Sequence, residues 1–165
     1  LEDDKMIELR TAENKDKELY RNMFNMLHND ISPYNNELLE VDEKGYFDKD
    51  TIECYFNGNE NVFPYVITYN NKIAGCVVIS KLPYVKPGCD FCIQELFVLG
   101  LYRGKDIASG ACLYLFEKYK GKYCVIVLKE NHRAMKFWRK FIDNNATMIL
   151  EEELDKKSIV FEFLT

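Results

Sequence analysis

The apolar and polar positions of this chain change period several times, and the changes mark out its elements. From Met6 to Thr11 the order Met-Ile-Glu-Leu-Arg-Thr alternates, which suits a half-buried strand. From Asn14 to Asn29, Leu19, Met23, Met26 and Leu27 fall at helical spacing with Lys and Glu opposite, the pattern of an amphipathic helix. Asp30 to Asn59 keeps neither period. Ser32-Pro33, Gly45 and Gly58 interrupt it, and Tyr34, Leu38, Leu39, Tyr46 and Phe47 are scattered between them. A short helix near Tyr34 to Leu39 is expected there, inside a long functional loop or lid that contacts substrate. Val62 to Tyr69 and Ile73 to Ser80 are β-branched and aromatic runs. Asn70-Asn71 between them tolerates the positive φ of a tight turn, so the pair reads as an antiparallel hairpin.

Pro83, Pro87 and Gly88 then break the chain before a strand from Phe91 to Leu99. Ile107, Ala108, Ala111, Cys112, Leu115, Phe116 and Tyr119 mark a helix with its apolar side toward a sheet. Tyr123 to Leu128 is continuously apolar, as in a strand covered on both faces, and completes a βαβ unit whose strands should be parallel neighbours. Asn131 to Phe141 predicts a second helix with Ala134, Phe137, Trp138 and Phe141 inward. Thr147 to Glu152 and Ser158 to Leu164 predict a closing hairpin about Leu154 to Lys157. The whole is an α/β arrangement, a mixed sheet of about seven strands with helices on both faces and one parallel step.

The stretch from Glu95 to Ala108 carries the first chemical signal. A strand ends, a polar turn follows, and a helix begins whose first N–H groups have no intrahelical partner and face the turn beside the positive end of the helix dipole. Such a place binds anions, and Arg103 and Lys105 add cations. Two readings stand at this point: a phosphate-bearing ligand seated at residues 103 to 109, or an ordinary strand-to-helix connection with exposed basic residues.

Composition narrows the classes. At 165 residues the chain is expected to form one domain over 6–165, with Leu1 to Lys5, ahead of Met6, expected to be vector-derived. A net charge of −5 and a pI near 5.2 argue against a nucleic-acid binder and suit a cationic substrate better. No apolar run spans a bilayer and no signal-peptide layout opens the chain, so a cytoplasmic protein without a membrane partner is expected. The six cysteines fall mostly inside apolar patterns, where a thiol behaves as a small hydrophobe. Cys89 and Cys92 have C-x-x-C spacing, but no second pair completes a metal set, and no metal is expected. His132 reads as an exposed first-turn residue and His28 as structural.

Two segments, with the order of elements from Met6 to Thr165, resemble the GNAT superfamily of N-acetyltransferases. Leu96-Phe97-Val98 followed by Tyr102-Arg103-Gly104-Lys105-Asp106-Ile107-Ala108 is similar to that family's acyl-CoA motif, with Arg103 and Ala108 in place and Asp106 where glycine is usual. Asn131-His132-Arg133-Ala134-Met135-Lys136-Phe137-Trp138 resembles its later CoA-contacting helix, with Trp138 where tyrosine is common and Ile142 where glycine is common. The resemblance implies acetyl-CoA as acyl donor and a primary amine as acceptor, joined in a ternary complex.

It further implies that Leu96, Phe97 and Val98 offer backbone groups to the pantetheine arm in a gap between splayed parallel strands. The N–H groups of Arg103, Gly104, Lys105, Asp106, Ile107, Ala108 and Ser109 would hold the pyrophosphate, Asn131 would bond the arm, and Ala134 and Phe137 would pack on it. In many members the tyrosine at the Trp138 position protonates the departing thiolate, which an indole cannot do. Tyr102, Tyr123 and Tyr34 are the substitutes considered. Glu95 is the candidate catalytic carboxylate. A catalytically weakened acyl-CoA sensor and a protein-interaction module of the same fold are the alternatives. A homodimer through the C-terminal strands would suit such a fold.

Overall fold

The computed structural model describes residues 6–35, 40–47 and 50–165. One seven-stranded sheet runs through the molecule. Its strands are β1 (Ile7–Thr11), β2 (Val62–Tyr69), β3 (Lys72–Ser80), β4 (Phe91–Val98), β5 (Lys122–Leu128), β6 (Thr147–Glu153) and β7 (Ser158–Leu164), in spatial order β1-β2-β3-β4-β5-β7-β6. Every neighbouring pair is antiparallel except β4 and β5, the parallel step expected from the βαβ pattern.

Among the described residues four α-helices cover it: α1 (Lys17–Ile31), α2 (Asp50–Phe56), α3 (Ile107–Lys118) and α4 (His132–Asn145). Alternation along β2 and β3 sends Tyr65, Ile67, Val77 and Ile79 to the face under α3 and α4, and Val66, Cys76 and Val78 to the face under α1 and α2. The larger core adds Ile107, Leu115 and Phe116 of α3, Met135, Trp138 and Phe141 of α4, and Tyr123, Phe161 and Phe163 of the sheet. Each such large apolar side chain contributes about 1.5–3 kcal/mol of burial. Tyr20, Met23 and Phe24 of α1 meet Ile52 of α2 in the smaller core, and the Tyr20 hydroxyl donates to the Tyr65 carbonyl at 2.6 Å, satisfying the one polar atom that side chain brings inside.

The Asn70-Asn71 turn has φ of 49° and 61°, the left-handed pair a two-residue hairpin needs. In the segment predicted as a loop or lid, Asp50–Phe56 is helical, a correction the tertiary contact of Ile52 explains. Of the short helix expected near Tyr34 to Leu39, a 3-10 turn at Ser32–Tyr34 is present, and residues 36–39, with Leu38 and Leu39, lie outside the described residues.

The feature that makes room for a site lies between β4 and β5. They pair only at Phe91 with Tyr123 and Cys92 with Cys124, their first rungs. Immediately after, the β3–β4 register jumps from Ile79–Ile93 to Val78–Glu95, so Gln94 is an extra, bulged residue. A bulge bends its strand and increases local twist. Here the Gln94 side chain fastens it by donating to the Ser80 hydroxyl at 2.7 Å and the Tyr84 carbonyl at 2.6 Å. Beyond Cys92 β4 is no longer paired with β5.

Candidate active site

A cavity of about 300 Å³ opens where the two strands part. Leu96, Phe97 and Val98 of β4 form one wall, the loop and first turn of α3 the next, Asn131, Ala134, Phe137 and Trp138 of α4 the third, and Leu27, Asp30 and Ile31 at the end of α1 the fourth. Of the expected cofactor residues, Leu96, Phe97, Val98, Arg103, Gly104, Asp106, Ile107, Ala108, Ser109, Asn131, Ala134 and Phe137 all border it. Lys105 does not. It is exposed, and its ammonium lies over the Tyr102 ring at 5.5 Å and the Tyr69 ring at 5.9 Å, held by the rings' negative faces.

The loop before α3 is shaped by two left-handed residues, Gly104 at φ 75° and Asp106 at φ 59°. Glycine adopts this freely, and aspartate is among the side chains that tolerate it best. Asp106 is the N-cap residue of α3, yet its carboxylate makes no capping bond and is exposed. The first intrahelical bond runs from the Gly110 N–H to the Asp106 carbonyl at 2.9 Å, which leaves the N–H groups ahead of it at the helix mouth. The Arg103 N–H is taken by the Gly100 carbonyl at 3.3 Å. The expected run of N–H groups for a ligand would therefore begin at Gly104, one residue later than the sequence suggests.

The Arg103 side chain is engaged as well. Its Nε donates to the Val98 carbonyl at 2.8 Å, a second nitrogen donates to the Asp30 carboxylate at 2.5 Å, and the guanidinium lies over the Phe97 ring. It braces the end of β4 against α1. Across the cavity the Asn131 side-chain oxygen accepts from the Ala134 N–H at 3.1 Å, capping α4 and leaving its Nδ2 as the group able to meet a ligand.

The chain's segment 24–142 matches the family model described as the acetyltransferase (GNAT) family. This chain belongs to the GNAT acetyltransferase family. Solved structures agree in fold. An acetyltransferase of the GNAT family from Streptococcus agalactiae 2603 superposes with TM-score 0.71 at 13% identity, covering 96% of this chain and 95% of that one. The PaiA N-acetyltransferase of Thermoplasma acidophilum, solved in complex with coenzyme A, gives TM-score 0.67 at 13% identity over 97% and 99%. An acetyltransferase from Thermus thermophilus gives 0.68 at 13% over 96% of each chain. No curated protein matches the chain in a sequence search.

Within the GNAT frame two predicted positions stand apart from the cavity lining or depart from it in chemistry. Glu95 follows the bulge, pairs with Val78 and so shares the α1/α2 face of the sheet. Its charge helps hold the Cys76 and Cys92 thiols above their ordinary range, after burial at Cys76 and a hydrogen bond with Cys124 at Cys92. Trp138 lines the cavity with 5% of its surface exposed, edge-on to Phe137 at 5.0 Å. Among the tyrosines considered in its stead, Tyr102 borders the cavity and Tyr34 is exposed at its 3-10 turn. Tyr123 is fully buried, donates to the Tyr119 carbonyl at 2.8 Å, and is pushed by burial well above the ordinary phenol range.

The residues that sequence reasoning missed are Leu27, Asp30, Ile31 and Arg133. The first three come from a helix whose only readable signal was its buried stripe. Arg133, two positions into the second motif, was visible as a cation near a helix start. Among the described residues no group of three or more His, Cys, Asp or Glu side chains is arranged to hold a metal ion, and no helix is long and apolar enough to cross a membrane.

Proposed function

We propose that the chain transfers an acetyl group from acetyl-CoA to a primary amine, by direct attack within a ternary complex. The observation that carries this reading is the cavity at the β4–β5 divergence. It sets strand backbone at Leu96 to Val98 on one side, the α3 mouth from Gly104 to Ser109 at one end, and the Asn131 amide with Ala134 and Phe137 opposite. Residues of Leu96 to Val98 would bond the pantetheine arm, and the helix-mouth N–H groups would hold the pyrophosphate.

The neutral amine attacks the thioester carbonyl carbon, and a strand N–H near Phe97 or Val98 stabilises the developing oxyanion. The carbon–sulfur bond then breaks, the thiolate departs with the electron pair, and the surplus ammonium proton leaves through Glu95, directly or by water. What supports Glu95 in this role is its place one residue before the Leu96–Val98 wall of the cavity. Orientation alone is worth effective molarities of about 10⁵–10⁸ M, against roughly 10²–10⁴-fold for a general acid, so loss of the usual tyrosine at position 138 does not abolish transfer.

Trp138 does favour a second reading, an acyl-CoA sensor that binds without turnover. A thermal shift on adding CoA tests binding, and release of free thiol over a panel of small amines, polyamines, amino sugars and peptides separates enzyme from sensor. In the enzyme, Glu95→Gln should lower kcat about 10²-fold or more at neutral pH and recover as pH rises and the amine loses its proton unaided. Equal rates for the variant and wild type at both pH values would remove Glu95 from the mechanism.

A further inference from the structure

The cavity proposed for a polyanionic cofactor carries no net side-chain charge. Its charged lining residues are the guanidiniums of Arg103 and Arg133 and the carboxylates of Asp30 and Asp106. Asp106 is exposed at the rim, whereas Asp30 is committed to an ion pair. One oxygen accepts from Arg103 at 2.5 Å and lies 3.8 Å from an Arg133 nitrogen, so a single carboxylate oxygen serves cations from two different walls. Asp30 sits in the last turn of α1, Arg103 in the loop before α3, and Arg133 in the first turn of α4.

A carboxylate oxygen and a phosphate oxygen compete for the same guanidinium, since both accept charge-assisted bonds from its fork. A phosphate entering beside the α3 mouth meets Arg103 already paired, Arg133 mostly exposed at the edge of the same carboxylate, and a fixed negative charge between them. We propose that Asp30 is a built-in competitor for the cofactor's phosphate groups, trading its arginines for them on binding and reclaiming them on release. The inference rests on the reading of this cavity as a CoA site. Its consequence is kinetic: Asp30 weakens CoA binding at rest and speeds departure of the product CoA, and product release is a step that limits turnover in many enzymes.

The opposite role is also physically definite. Were Asp30 simply the fastener that aims Arg103 and Arg133 at the ligand, removing it would loosen them and weaken binding. The two roles differ in sign. Calorimetric titration of the full chain with CoA, at low and at high salt, compares wild type with Asp30→Asn and Asp30→Ser, and stopped-flow displacement gives the release rate. Competition predicts about two- to fivefold tighter CoA binding in both variants at low salt, the size of a solvent-accessible ion pair. The gain should shrink at high salt as screening grows, with slower CoA release throughout. Unchanged or weaker binding in both variants, with wild type still binding CoA, would overturn the competition and leave the CoA site standing. Wild type that takes no CoA would overturn both.

Discussion

At Asp106 the chain places a charged side chain in the loop that opens α3, and the backbone explains why it can. The position needs φ near +59°, which aspartate supplies at lower cost than most residues, and the residue is exposed at the rim of the cavity with no capping bond from its carboxylate. Asp106→Gly should therefore do two things. It should relieve the left-handed strain, raising stability by up to about 1 kcal/mol. It should also remove a charge near a helix start, tightening CoA binding about 1.5- to 5-fold, the range for one exposed charge at a helix terminus. A urea titration and a CoA titration of the same variant read the two effects separately, and unchanged affinity would show that the exposed carboxylate is silent. The same residue shows what a sequence does and does not display. Motif position and tolerance of left-handed backbone were legible from Asp106 itself, whereas the diversion of Arg103 to Val98 and Asp30 was not, because Asp30 lies far off in sequence and only folding brings it near.

Among elements, β4 is the one on which the site depends. Its sequence, Phe-Cys-Ile-Gln-Glu-Leu-Phe-Val, places two polar residues side by side, Gln94 and Glu95, and that break in alternation was the available signal of the bulge. Read as a plain strand, it hid the cause of the β4–β5 divergence. The hairpin at Asn70-Asn71 was legible because both residues are chemically suited to φ above zero. Helix α2 was not, since its seven residues depend on Ile52 reaching the α1 core and too little of a period shows in so short a stretch. At the other side of β4, Gly75 of β3 lies so close that an added Cβ would stand 2.1 Å from the Phe97 carbonyl oxygen, backbone against backbone. Gly75→Ala must push β3 and β4 apart, and should cost about 1–3 kcal/mol of stability in a denaturant titration, as overpacking does. Because Phe97 borders the cavity, weakened CoA binding should accompany that loss.

For the molecule as a whole, the edge strand β1 is tied to the start of α1 by one side-chain pair. Arg10 donates twice to Asp16, each bond 2.7 Å, while the Glu13 N–H donates to the same carboxylate at 2.9 Å. The Arg10 guanidinium, above all, holds Asp16 at about 2, below its ordinary value of 3.8. In the unfolded chain Asp16 takes up its proton first as pH falls, so this pair stabilises the fold fully above about pH 5 and is lost as pH drops toward 2. With Arg10 half exposed, the contribution is about 1–2 kcal/mol. Asp16→Asn should destabilise by that amount at neutral pH and converge on wild type in acid, as followed by circular dichroism in urea from pH 7 to pH 2. Parallel pH profiles for the two proteins would show that Asp16 carries none of this dependence.

The parting of β4 from β5 also gives this sheet an edge in its middle. Strand edges ordinarily lie at the rim, where charge, prolines or helices shield them, whereas here backbone beyond Cys92 faces a neighbour that has moved away. Any molecule that bonds along that seam acts as a missing strand, and its binding energy is also folding energy. A bound ligand at about one hundred times its dissociation constant adds about 2.7 kcal/mol to such a fold. The lifetime of this protein in a cell would then follow the local supply of whatever fills the seam, falling when that supply is drawn down.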